Sequence, residues 1–468
     1  EDNLNKIPSQ DEFHENWENI LSLKNVLATN NKNYSERVVE VSLTHLASAC
    51  EKILRNDTLN QKPNVLNTCE EILHIAGNSK YPEYDPEYHK EFDSLHWSSA
   101  PRIEAAEGIM VLIRNKNFAS ERNKELIKKL ASDMVPAVRY HIIRRLMMMY
   151  KTANKEMWGL ILETANNEKT NGVLATLSAS LVSIAGLETD RVLDVYEIIA
   201  SRQKLKDRQK AGAHNDPVVS TITQLYIFYD NARASKEIEC YEKVPLEFYD
   251  ELSQVAITAI NYLVIKDKTK FKDSPENIKA RTHDIIARVL EAARKGLIAI
   301  QKEKITDEKR SELIREIYHP IEIISRWLYF NTDSKNKGQI LTGEELKAYY
   351  YEIKPLIEKI INIGFEIKFL SPTTTHHLVE LSNRVLNIDP KGVIKIIDDL
   401  CAIPSGYIFD SFALREITNL VEIAIVDHKE ALREEATMNY LVNIIDTFVK
   451  AGWHEAIELA MRLDEVWR

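Results

Sequence analysis

Residues 133–150, Asp-Met-Val-Pro-Ala-Val-Arg-Tyr-His-Ile-Ile-Arg-Arg-Leu-Met-Met-Met-Tyr, constrain the fold more than any other stretch of the chain. Pro136 suits the first turn of a helix, where a missing N–H costs nothing. Beyond it Val138, Ile142, Leu146 and Met149 recur at steps of three and four and make one apolar face. Asp133 stands before the turn, where a carboxylate accepts the backbone N–H groups of a helix start. Arg139 stands inside the helix, where a guanidinium can pair with such a carboxylate in its own or the next unit. An earlier copy, Ala100-Pro101-Arg102-Ile103-Glu104-Ala105-Ala106-Glu107-Gly108-Ile109-Met110, lies 37 residues upstream counted arginine to arginine. That spacing falls within the period of roughly 33–47 residues expected of two-helix repeats. The chain therefore reads as all-α, an array of stacked antiparallel helix pairs in which each pair buries its apolar face against its neighbours.

Composition agrees. Glycine (13) and proline (14) are too few among 468 residues for the many tight turns of an all-β fold. A hydrophobic share of 44% against 28% charged residues is that of a water-soluble protein. The formal charge of −10 disfavours non-specific nucleic-acid binding, which depends on neutralising phosphates, and leaves only a local basic groove open to it. Cys50, Cys69, Cys240 and Cys401 are dispersed and form no CxxC pair, so they read as core thiols of a reducing, cytoplasmic compartment. No apolar run reaches the ~18–20 residues that span a bilayer. The start at Glu1-Asp2, without methionine, leads us to expect a piece of a longer protein.

Along the chain, the periodicity divides into N-terminal helices (1–88), the clearest repeats (89–200), middle hairpins (201–330) and C-terminal hairpins with a cap (331–468). In the second helix, over 34–54, Val38, Val41, Leu43, Leu46, Ala49 and Ile53 are expected to point inward. Residues 77–88, with two prolines and three tyrosines, interrupt the helices and lead to His89, His96 and Trp97. These aromatics either pack a corner between repeats or form a recognition rim. The most basic run, 201–217, carries Arg202, Lys204, Lys206, Arg208 and Lys210 and is either a solvated helix end or a contact for a phosphate or an acidic partner. From Asp333 the chain superficially fits a calcium loop, but Lys335 and Lys337 stand where carboxylates should bind the ion. That loop reads as a polar connector, with Thr342 and Glu345 as a capping box. Trp453, Leu459, Leu463 and Trp467 are expected to close the last apolar face.

No nucleotide, hydrolase or metalloprotease motif occurs. The adjacent His376 and His377 point about 100° apart on a helix and cannot chelate one ion as an i, i+4 pair could. Neither a cofactor, a metal nor catalysis is expected of this segment. The candidate partner-binding residues are Arg144, Arg145, His96, Trp97, Arg202, Lys204, Lys206 and Arg208. Arg144 and Arg145, beside His141, face either a concave groove or solvent. A protein partner is the first expectation and nucleic acid the alternative.

The Asp133–Pro136–Val138–Arg139 pattern resembles the second-helix signature of a HEAT repeat, which implies a HEAT-like α-solenoid. Two further stretches, Ser98-Ser-Ala-Pro-Arg-Ile-Glu-Ala-Ala-Glu-Gly-Ile-Met110 and Phe409-Asp-Ser to Arg468, the latter with Asp446-Thr-Phe-Val-Lys-Ala-Gly-Trp-His-Glu-Ala456, resemble the C-terminal helical-repeat regions of large bacterial ATP-binding proteins. Among these are NACHT/STAND-type proteins of antiphage defence. His454 stands where that pattern has proline. The resemblance implies a sensor or scaffold module whose ATPase and effector parts lie upstream. It transfers no catalytic residue, because the nucleotide-binding motifs are absent from these residues.

Overall fold

The structure, a computed structural model, describes residues 10–30, 34–56, 62–90, 92, 98–205, 216–264, 273–332, 341–404 and 411–463. Among them every regular element is helical. The chain divides into two compact units, Glu1–Thr221 and Ile222–Arg468.

In the first unit, α1 (Gln10–Asn30) leads into α2 (Glu36–Arg55), α3 (Pro63–Gly77), the short α4 (Pro86–His89), α5 (Pro101–Leu112), α6 (Glu121–Ala131) and α7 (Pro136–Arg144). Then come α8 (Asn154–Asn167), α9 (Asn171–Leu181), α10 (Thr189–Arg202) and α11 (Pro217–Tyr229), in which the boundary between the units falls. Proline occupies the first turn of α3, α4, α5 and α7, where it removes only a donor that would be orphaned anyway. Helices two or three apart in the chain are spatial neighbours. The series α2, α5, α7, α9 pack in turn, and α3, α6, α8, α10 do likewise beside them.

The apolar face read along residues 136–150 is fully buried: Val138, Ile142, Leu146 and Met149 have no exposed surface. The helix itself ends at Arg144, and Leu146–Met149 continue as a 3-10 turn. Ser180 of α9 donates to the carbonyl of Ile143 at 3.1 Å, one partner for the carbonyls that the helix end leaves open. In α2 the expected inward face needs correction. Leu43, Leu46 and Ile53 are buried, but Val38 and Val41 are 48% and 46% exposed. The buried stripe instead runs through Leu43, Leu46, Ala47, Cys50, Ile53 and Leu54. The buried residues of α2 begin at Leu43, so its first two turns lie at the surface.

The second unit is built alike. It contains α12 (Ala232–Lys243), α13 (Tyr249–Ile260), α14 (Pro275–Lys302), α15 (Asp307–Phe330), α16 (Gly343–Ile367), α17 (Pro372–Val385) and α18 (Pro390–Ala402). These are followed by α19 (Ser411–Asp427), α20 (Lys429–Leu432), α21 (Glu435–Lys450) and α22 (His454–Arg462). α13, α15, α17, α19 and α22 pack in series, as do α14, α16, α18 and α21. Ser274, Thr306, Ser371 and Asp389 cap helix starts with their side chains. The expected capping box at Thr342 does not form. Thr342 precedes α16, but its side chain makes no capping bond and only its carbonyl accepts from the Glu345 N–H. α12 escaped the sequence reading because only Ala234, Ile238 and Tyr241 of its twelve residues are buried. In α22, Leu459 is buried and Trp453 and Leu463 are half-buried, while Trp467 lies outside the described residues.

α5 approaches α3 closely at a glycine. A β-carbon added at Gly108 would lie 2.4 Å from Cδ2 of Leu73, whose side chain is itself wholly buried. Gly108→Ala is expected to destabilise the protein by about 1–3 kcal/mol, as overpacking does. A denaturation midpoint unmoved by the substitution would show that Leu73 is free to yield.

Candidate functional site

Two sets of charged side chains are built into the first unit. The first is a ladder between successive helices. Arg102 of α5 lies 2.8 Å through Nε from Oδ2 of Asp133, and its guanidinium donates to the carbonyls of Ser79 (2.9 Å) and Pro82 (2.7 Å). Asp133 in turn accepts the N–H of Val135 at 2.9 Å and so orders the start of α7. One unit on, Arg139 holds Glu168 with two bonds of 2.7 and 2.8 Å and donates to the carbonyl of Asp133 at 2.6 Å. Glu168 accepts the N–H of Thr170 at 2.8 Å, just before α9. Each arginine therefore ties backbone carbonyls of a preceding turn to the carboxylate before the next helix. Burial alone would raise the Glu168 carboxyl, but the bonds from Arg139 and the Thr170 N–H outweigh it and hold the group below the ordinary carboxylate range.

The third rung shows how the ladder ends. Leu174 is the fourth residue of α9, as Arg139 is of α7, and a leucine has nothing to donate. Arg202, at the end of α10, reaches across instead and donates to the carbonyls of Ala165 and of Glu168, the latter at 2.5 Å. This side chain, expected from the sequence to meet a partner, thus closes the end of α8. A cleft of about 270 Å³ beside the second rung is lined by Lys128, Ser132, Glu163, Asn167 and Lys169 together with Asp133, Arg139 and Glu168. Its arginine is committed to the ladder.

The second set lies across α2, α5 and α7. Glu107, 8% exposed, accepts from or shares a proton with Nδ1 of His141 at 2.5 Å and is paired with Arg145. Arg145 also lies 3.7 Å from Glu51, which Arg55 bonds, and Arg55 approaches Glu107 at 3.6 Å. Burial would raise the Glu107 carboxyl, but His141 and Arg145 together hold it below the usual range. Glu107 was not singled out from the sequence. Its signal is an acid set among Ala105, Ala106, Gly108 and Ile109, a stretch of α5 that is buried from Ala105 to Leu112 and leaves little solvent for a charge.

Arg144 and Arg145, adjacent in sequence, thus take opposite parts. Arg145 is turned into the network, whereas Arg144 is exposed and has no ion-pair partner among the described residues. Lys204 is exposed as well. His96, Trp97, Lys206 and Arg208 lie outside the described residues, as does most of the calcium-like loop. His89 is buried and stacks on Tyr84 with ring centroids 5.3 Å apart, as expected for corner packing. In the second unit His376 and His377 have ring centroids 5.4 Å apart, and desolvation together with the neighbouring His376 and Arg326 pushes the buried His377 down to about 4, so it is neutral at physiological pH. No group of three His, Cys, Asp or Glu side chains among the described residues is arranged to hold a metal ion. No described helix is long and apolar enough to cross a membrane.

No family model and no curated protein matches the chain.

Proposed function

We propose that the chain is a HEAT-like α-solenoid that serves as a non-enzymatic scaffold or sensor, binding a protein partner along the helices of the α2, α5, α7, α9 series. The observation that carries this reading is the ladder. Arginine–carboxylate rungs that tie one turn to the next add fixed register to helices whose apolar faces are buried against their neighbours, as a stacked array requires. The series of second helices then forms a wide surface rather than a deep pocket, which suits a macromolecule. Protein is favoured over nucleic acid because Arg145 and Arg202 are spent on internal carboxylates and carbonyls. Among the described residues of the candidate set, Arg144 and Lys204 are left as exposed cations. On the likeness of residues 98–110 and 409–468 to the repeat regions of NACHT/STAND-type antiphage ATPases, we further propose that the scaffold is the sensing part of such a bacterial protein.

The test is affinity capture with the immobilised full chain, compared with a charge-reversed Arg144→Glu variant and repeated with nuclease and in high salt. A protein retained by the first and lost from the second, with nuclease making no difference, is the expected result. Retention that nuclease abolishes and that falls steeply with salt would replace it with the nucleic-acid reading. A P-loop encoded upstream of Glu1 is expected of the defence-ATPase assignment, and an upstream sequence without one would remove it.

A further inference from the structure

We propose that Cys50 of α2 and Cys69 of α3 are a latent disulfide, a redox-sensitive clasp that joins the two helices when a low-molecular-weight disulfide reaches them. The clasp does not depend on what the array binds. Both residues are free thiols with no exposed surface. α2 and α3 pack against each other, and the two thiols share a hydrogen bond across that contact. Cysteines whose side chains point apart cannot be bridged without moving the backbone, whereas sulfurs already in contact need little rearrangement. Cys240 and Cys401 belong to the second unit. The bond to Cys69, and then burial, push the Cys50 thiol up, so the closed state keeps it protonated and unreactive.

What admits the oxidant is α1. Lys24 of α1 pairs with Glu71 of α3, and its charge also acts on Cys50 of α2, so α1 lies across the thiol pair. Among the described side chains of α1 only Leu27 is buried, while Ile20, Leu21, Leu23 and Val26 are half-buried. An element with so little apolar burial opens at lower cost than the helices beneath it. With α1 lifted, the thiolate of one cysteine attacks the small disulfide RSSR, expels one thiolate and leaves a mixed disulfide. The thiolate of the other cysteine then attacks the protein sulfur and expels the second. Two protein thiols are oxidised, one RSSR is reduced to two RSH, and the two thiol protons pass through water to the released thiolates. The new bond fixes α2, the first helix of the series α2, α5, α7, α9, to α3 and constrains the unfolded chain between residues 50 and 69.

The full chain carrying Cys240→Ser, which removes the exposed thiol, is incubated in native buffer with oxidised glutathione, quenched with acid and mapped by mass spectrometry without reduction. A peptide pair joined through Cys50 and Cys69 is expected, lost on treatment with dithiothreitol, and the linked protein should melt about 5 °C higher. In Lys24→Ala the link should form about two- to fivefold faster, since α1 loses a partly exposed ion pair. Free thiols at both positions, a glutathione adduct on one of them with no link, or a link from Cys50 to Cys401 would overturn the clasp. So would a link that forms only in denaturant, where the chain is unfolded. An unchanged rate in Lys24→Ala would overturn α1 as its cover.

Discussion

Arg139→Ala is expected to lower the stability of the first unit by about 3 kcal/mol at neutral pH, the cost typical of removing one partner from a buried ion pair. The figure follows from what remains. Glu168, 8% exposed, would keep the N–H groups of Lys169 and Thr170 but lose both guanidinium bonds, and the carbonyls of Asp133 and Met134 would lose their donor. The pH dependence gives the sign a second check. Because the folded Glu168 carboxyl is held below its unfolded value, its contribution is present above the unfolded carboxylate range and disappears as pH falls through the folded value. In the variant the bonds from the Lys169 and Thr170 N–H groups remain but the guanidinium is gone, so burial weighs more heavily and the folded carboxyl lies higher than in the parent. The gap between the two proteins should therefore narrow on acidification below about pH 4. Denaturant melts by circular dichroism at several pH values measure both effects. Identical curves at neutral pH would deny Arg139 its place in the ladder.

Glu107→Ala is expected to cost about as much, roughly 3 kcal/mol, because it leaves the half-buried Arg145 with only the more distant Glu51 and leaves His141 without its partner. Glu107→Gln keeps the volume and one acceptor and should cost less. The informative variant is the double substitution Glu107→Leu with Arg145→Met. A buried ion pair is often no more stable than apolar residues of similar size, so removing both charges should recover much of what the single change loses. Additive losses would mean that the two residues act separately, and the picture of one network would fail. If the double variant is as stable as the parent, the charges stand there for something other than stability, which strengthens the case for a recognition face.

Much of the helix content was legible because the signals are local. Pro136 opens a helix, and the run Val138, Ile142, Leu146, Met149 defines its buried side. Ser274 and Thr306 cap the helices they precede. Where local signals were thin, the reading failed. α12 has too few apolar residues to declare a face, and Val38 and Val41 have the right spacing but no neighbour to bury them.

The charged residues mark the division most sharply. By itself the sequence determined the all-α class of the described residues and the helix start at Pro136 with its apolar stripe, since both are written within a few residues. Only the tertiary structure decided that Arg139 pairs forward with Glu168, that Arg202 closes α8 where Leu174 interrupts the ladder, and that Arg145 turns in to Glu107 while Arg144 remains outside. A guanidinium is a donor in any setting. Whether it serves the fold or a ligand depends on which carboxylate or carbonyl, some 30 to 40 residues away in the chain, comes within reach.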